Sequence, residues 1–148
     1  MKRGSIAVMT CLVLLVASRA HAQQFGVRAG VSGDPDQFYM GVHYETTPLL
    51  EHLRFKPNLE VGFGDDTTLI ALNFEFAYEI PLKQSPWNLY VGAGPALNIY
   101  NSNDESNAEG GFNILFGAQH AGGLFTELKV GTIDSPGVKF GVGYRFRR

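Results

Sequence analysis

Residues 68–80 read TLIALNFEFAYEI, with a large apolar side chain at every second position: Ile70, Leu72, Phe74, Phe76, Tyr78 and Ile80. Asn73, Glu75 and Glu79 occupy alternate positions between them. A period of two sends these two sets to opposite faces of one strand. One face is apolar and uncharged, the other polar. What covers the apolar face decides the fold.

The same alternation recurs on both sides of this stretch, and no segment after residue 22 keeps a 3.6-residue period. Strands are expected over 24–31, 38–45, 53–64, 68–80, 87–100, 110–119, 123–131 and 138–146. The breaks between them are SGDPDQ, TTPLLEH, GDDT, PLKQSP, NSNDESNAE, HAG and TIDSPG. Eight strands joined by short connections make an antiparallel up-and-down meander. Pro57 and Pro95 fall inside two of these runs, and each is expected to mark a bulge or a strand end.

One phase of the alternation is apolar throughout, from Phe25, Val27 and Val31 to Val138, Phe140, Val142, Tyr144 and Phe146. The other carries Arg28, Arg54, Lys56, Lys129, Lys139 and Arg145 against Glu45, Glu60, Glu75, Glu79 and Glu127. A soluble lipocalin-like barrel would turn the apolar phase inward around an apolar ligand. A membrane barrel turns it outward to lipid and encloses the charges. Three features favour the membrane. Glycines such as Gly30, Gly41, Gly92, Gly94 and Gly141 fall on the charged phase, where a narrow interior needs small side chains beside large ones. With the amino terminus on the periplasmic side, Phe25, Tyr44, Tyr78, Trp87, Tyr144 and Phe146 form an aromatic girdle on one rim. The acids within strands are all Glu, while all six Asp lie in the connections at the opposite end. The expected fold is therefore all-β, an eight-stranded antiparallel up-and-down transmembrane β-barrel.

The chain of 148 residues has room for one such domain. It begins with Lys2 and Arg3, continues with the apolar run 6–16 and reaches the small-residue site Ala20-His21-Ala22, the three parts of a cleaved secretory signal over 1–22. The barrel domain is then 23–148. Loss of Lys2, Arg3 and Arg19 leaves nine basic residues against fourteen acids, a charge of −5. Cleavage also removes Cys11, the one Cys, so neither a disulfide nor a CxxC site is available. The acidic balance and a charged fraction of 18% argue against a nucleic-acid partner.

The last strand, Val138 to Phe146, ends in Tyr144-Arg145-Phe146. It resembles the carboxyl-terminal signal strand of Gram-negative outer-membrane barrels. NLEVGFGDD (58–66) and NLYVGAGPALNIY (88–100) likewise resemble the small eight-stranded outer-membrane β-barrel domain family of surface-antigen type. The resemblance covers essentially all of 23–148 and implies residence in the outer membrane among its lipid and lipopolysaccharide. It also implies delivery by the barrel-assembly machinery through Tyr144 and Phe146. The family ends on its aromatic residue, whereas here Arg147 and Arg148 follow.

Chemistry is sparse. Some outer-membrane barrels of this size are lipid A deacylases, which need a His and a Ser close together on one strand and a carboxylate to orient the His. His120 lies between Gln119 and Ala121 with no Ser nearby. His43 and Glu45 share a face of the second strand as an acid–base pair or a structural one, and His52 sits beside Glu51 in a turn. Asp34, Asp36, Asp65 and Asp66 lack the spacing of a calcium loop. No catalytic residue, cofactor or metal is assigned, and the protein is expected to be a monomer. An eight-stranded interior is only wide enough for its own side chains. Glu60 and Glu75 lie on neighbouring strands, as do Lys129 and Lys139, and Arg28 and Arg145 are expected to face each other where strand eight meets strand one. Like charges side by side need partners, so the acids of strands three and four should reach across to the cations of strands seven, eight and one. The readings that remain are a non-enzymatic envelope-structural or surface-interaction barrel, a soluble carrier, a narrow solute pore and an envelope lipid hydrolase. The far connections look short for an adhesin, with NSNDESNAE the longest.

Overall fold

The computed structural model describes residues 24–33, 36–133 and 135–146. The expected leader over 1–22, with Asp34, Asp134, Arg147 and Arg148, lies outside them. Eight strands follow one another: β1 (Gln24–Gly33), β2 (Gln37–Glu45), β3 (Leu53–Phe63), β4 (Thr68–Pro81), β5 (Trp87–Ser102), β6 (Glu105–His120), β7 (Leu124–Ile133) and β8 (Val138–Phe146). They close into a barrel in sequence order. All pairs are antiparallel, including the closing pair β1–β8, where Phe25 faces Phe146 and Gly33 faces Val138. Closure leaves no open edge along the wall, which a spanning sheet requires in lipid.

Burial is inverted relative to a soluble protein. In β4 the rings of Phe74, Phe76 and Tyr78 are exposed, while Asn73 and Glu75 are buried. Outward Val, Leu, Ile and Phe recur on every strand. The apolar phase is thus the outer face, and the soluble carrier with an apolar cavity is excluded. Its nine to sixteen residues let each strand cross a bilayer when tilted. Gly94 shows why glycines belong on the inner phase. A Cβ there would run into the Phe74 carbonyl and the Glu75 Cα.

Two expectations need correction. NSNDESNAE is not a loop: β5 and β6 continue through it, and only Asn103 and Asp104 turn the chain. Both have positive φ, 42° and 70°, the backbone of a two-residue hairpin whose twist matches its strands. The prolines, for their part, interrupt ladders without ending strands. Pairing of β2 with β3 stops at His43↔Asn58, beside Pro57. Pairing of β4 with β5 skips from Asn73↔Ala96 to Phe76↔Ala93, around Pro95. Each gap falls where a proline has no N–H to donate.

Candidate functional site: the filled lumen

Period-two strands deliver eleven charged side chains into a tube that closes with β1 against β8. Glu60 on β3 is the hub. Its carboxylate meets Lys139 at 2.6 Å, and Lys129 and Arg28 each at 3.2 Å. Lys129 on β7 also binds Glu75 on β4 at 2.7 Å and lies 3.8 Å from Glu127. Arg28 on β1 donates to Glu127 at 3.0 Å, and the Tyr90 hydroxyl donates to the other oxygen of that carboxylate at 2.7 Å. These pairs span the barrel: strands three and four supply acids to cations on seven, eight and one. Buried charges are tolerable only when paired in this way.

An amide ladder extends the network. Asn58 donates to Glu75 at 2.8 Å, Asn73 to Asn58 at 2.8 Å and Asn113 to Asn73 at 2.8 Å. Towards the terminal rim a second cluster forms. Arg145 donates to Glu45 at 3.3 Å, and Arg54 lies 2.9 Å from Glu79 and 3.9 Å from Glu45. The Gln119 amide oxygen accepts from Arg145. Lys56 sits with its ammonium 4.1 Å from the Tyr90 ring centre, a cation–π contact. Arg28 and Arg145 do not face each other at the seam as the sequence suggested. Arg28 faces Gly143, and Arg145 faces Gly26. The Phe125 ring fills the space above Gly143, and the His43 imidazole fills that above Gly26.

Sequence reasoning missed the lumen aromatics. Tyr39, Tyr90 and Phe125 are all buried on the inner phase. Their parity alone placed them there. The gap between Ser32, Gln37, Tyr39, Glu60 and Lys139 is too small for a water molecule. Replacing Glu75 with Gln leaves Lys129 two other carboxylates, so it should cost only about 1–3 kcal/mol. Thermal unfolding in detergent, followed by loss of heat-modifiable migration, measures it.

The girdle residues share one rim. Phe25 lies between Tyr44 and Phe146 on its two neighbouring strands, and Tyr78 pairs with Leu53. Trp87 stacks edge-on against His120, ring centres 5.0 Å apart. The Tyr144 and Phe146 rings are 5.3 Å apart. The histidines are scattered. His43 is buried edge-on against Phe125 and makes no bond with Glu45, which is held by Arg145. His52 Nε2 lies 3.6 Å from Glu51 on an exposed turn. His120 Nδ1 accepts from the Gly122 N–H. Among the described residues, no three His, Cys, Asp or Glu converge as metal ligands.

The class that these features define is the lipid-facing β-barrel with a packed polar interior. Solved structures share its barrel fold. The chain is similar to Neisserial surface protein A (NspA), with a TM-score of 0.67 and 16% identity over 85% of this chain and 96% of that one. The N-terminal β-barrel domain of Pseudomonas aeruginosa OprF gives 0.62 and 12% identity, over 84% and 97%. The outer membrane enzyme PagL gives 0.52 and 11%, over 84% and 99%. No family model matches the sequence, and no curated protein does. The chain has the fold of the eight-stranded outer-membrane β-barrels.

Proposed function

We propose that this protein is a non-enzymatic outer-membrane barrel of the Gram-negative envelope, with a structural or surface-interaction role and no transport path. One observation carries the reading: the lumen is occupied by its own ion pairs, centred on a Glu60 that touches three cations. A solute would have to break several buried pairs to pass, each costing several kcal/mol. PagL has the same fold and is an enzyme, so the fold leaves catalysis open. The histidines weigh against it. The partners described above for His43, His52 and His120 include no serine, and the three sit on separate elements. With the termini towards the periplasm, the aromatic rim lies at the inner membrane interface. The acids Asp36, Asp65, Asp66, Asp104, Glu105 and Glu109 then lie at the outer face beside lipopolysaccharide.

Purified barrel in a planar bilayer should give no steady conductance, and steady high conductance would make a small-solute pore the better reading. Replacing all three histidines with Ala should leave envelope lipid composition unchanged, whereas a changed acylation pattern would favour a lipid hydrolase.

A further inference from the structure

The rim opposite the termini is uneven. β6 is paired with β5 along its whole length, from Ser102↔Glu105 to Trp87↔His120. On its other side β7 reaches only as far as Gly111, which faces Ile133. Among the described residues, 105–110, Glu-Ser-Asn-Ala-Glu-Gly, therefore have a strand on one side and none on the other. All six are exposed.

The cause lies in how β7 leaves the wall. Ile133 has φ +62°, a left-handed conformation that a β-branched residue rarely adopts. Ser135 and Pro136 lie over the mouth of the barrel and not along β6. Ser135 accepts a hydrogen bond from the lumen amide Asn98 at 3.1 Å. Gly111 and Gly131 make the room: a Cβ on either would collide with Ser135 or Pro136. The Ile133 side chain is left 80% exposed at the foot of the open edge.

The edge has a defined polarity. A two-residue turn makes Ser102 and Glu105 exchange both main-chain hydrogen bonds, and alternate pairs beyond them do the same. The N–H and C=O of Ser106, Ala108 and Gly110 consequently point to the side that β7 leaves empty. The side chains of Glu105, Asn107 and Glu109 stand on the face of the strand that continues the inner phase of Gly111 and Asn113, next to Asp104 at the turn.

We propose that the β6 edge, Glu105–Gly110, docks an extended cationic polypeptide segment that adds to it as a further strand. Main-chain hydrogen bonds supply affinity in such strand addition, and side-chain charge selects the partner. A second copy of this chain is the wrong occupant, since edge-to-edge pairing would place two sets of glutamates side by side. Lysines or arginines alternating along the incoming strand would meet Glu105 and Glu109, and an apolar residue would cover Ile133. Exposure of the site to the cell exterior rests on the orientation proposed above. Binding itself does not.

The probe is a fluorescent ten-residue peptide of alternating Lys and Thr, titrated against the barrel in zwitterionic nanodiscs and read by anisotropy. A Glu/Thr peptide and empty nanodiscs serve as controls. Wild-type protein should bind the lysine peptide saturably and the glutamate peptide not at all. Ala108→Pro removes one outward N–H and should weaken binding about tenfold. The pair Glu105→Lys, Glu109→Lys lies outside the barrel wall and should weaken it further, with a reduced salt dependence. Heat-modifiable migration establishes that each variant is folded. Equal binding by folded Ala108→Pro, or by the charge-reversed pair, would overturn the proposal. So would absence of saturable binding by wild type, or disulfide-linked dimers of Ser106→Cys, which would make a second copy the occupant. None of these results would touch the filled-lumen reading, which conductance tests separately.

Discussion

Glu60→Gln should be the most destabilising single change in the lumen, lowering stability by about 3–5 kcal/mol, the usual cost of stranding one member of a buried ion pair. The three cations around this carboxylate do not depend on it equally. Arg28 keeps Glu127, and Lys129 keeps Glu75 and Glu127. Lys139 has Glu60 as its carboxylate partner and otherwise lies 5.2 Å from the Tyr39 ring centre. Loss of the hub therefore strands Lys139 above all. The double variant Glu60→Gln, Lys139→Met should recover a measurable part of the loss, because it removes the orphaned charge together with its partner. Both variants are read by unfolding in detergent. A fully additive double variant would show that Glu60 acts through volume or through Arg28. The apolar exterior is unchanged in both, so membrane insertion should persist.

Much of this architecture is legible in the sequence because one rule, alternation, writes it eight times. Residues 68–80 separate their apolar and charged sets cleanly, and β4 (Thr68–Pro81) matches that run to within one residue. The identity of the outer face was legible too, since glycines and charges share a phase and lipid tolerates neither pattern reversed. Strand ends were read less well at one place. NSNDESNAE looks like loop because it is polar on both faces, but a strand that projects beyond the membrane is wet on both faces. Polarity there reports solvent and not turn structure. The turn itself is written in Asn103-Asp104, two residues tolerant of positive φ.

The site was legible in its composition and only partly in its pairing. Like charges on adjacent strands, such as Lys129 facing Lys139, required partners across the lumen. That argument led to Glu60 and Glu75. It could not give register at the seam, where Arg28 and Arg145 were expected to meet and instead each sit opposite a glycine. The shear of the closed barrel sets that offset, and shear depends on all eight ladders at once. Lys56 escaped for another reason: its contact is the face of Tyr90, and aromatic acceptors leave no charge signature in a sequence.

Phe146→Ser should abolish appearance of the barrel in the outer membrane while costing the folded protein little. Phe146 is the last residue of β8 and pairs with Phe25, so it fastens the seam at the terminal rim. Its ring is 48% exposed on the lipid side, which limits its packing contribution to about 2 kcal/mol. A loss of that size leaves most barrels folded. A complete failure in cells would therefore arise before folding, when the carboxyl-terminal strand is recognised for assembly. The two effects separate experimentally. Urea-unfolded Phe146→Ser should refold into detergent micelles with a small drop in midpoint, yet in cells it should remain unfolded in the periplasm and be degraded. Phe146→Tyr keeps the aromatic end and should assemble normally, and deletion of Arg147 and Arg148 should do likewise. Normal insertion of Phe146→Ser would assign recognition elsewhere on β8, with Tyr144 the next residue to test. Failure of the variant to refold in detergent would show instead that the Phe25–Phe146 contact is needed to close the barrel at all.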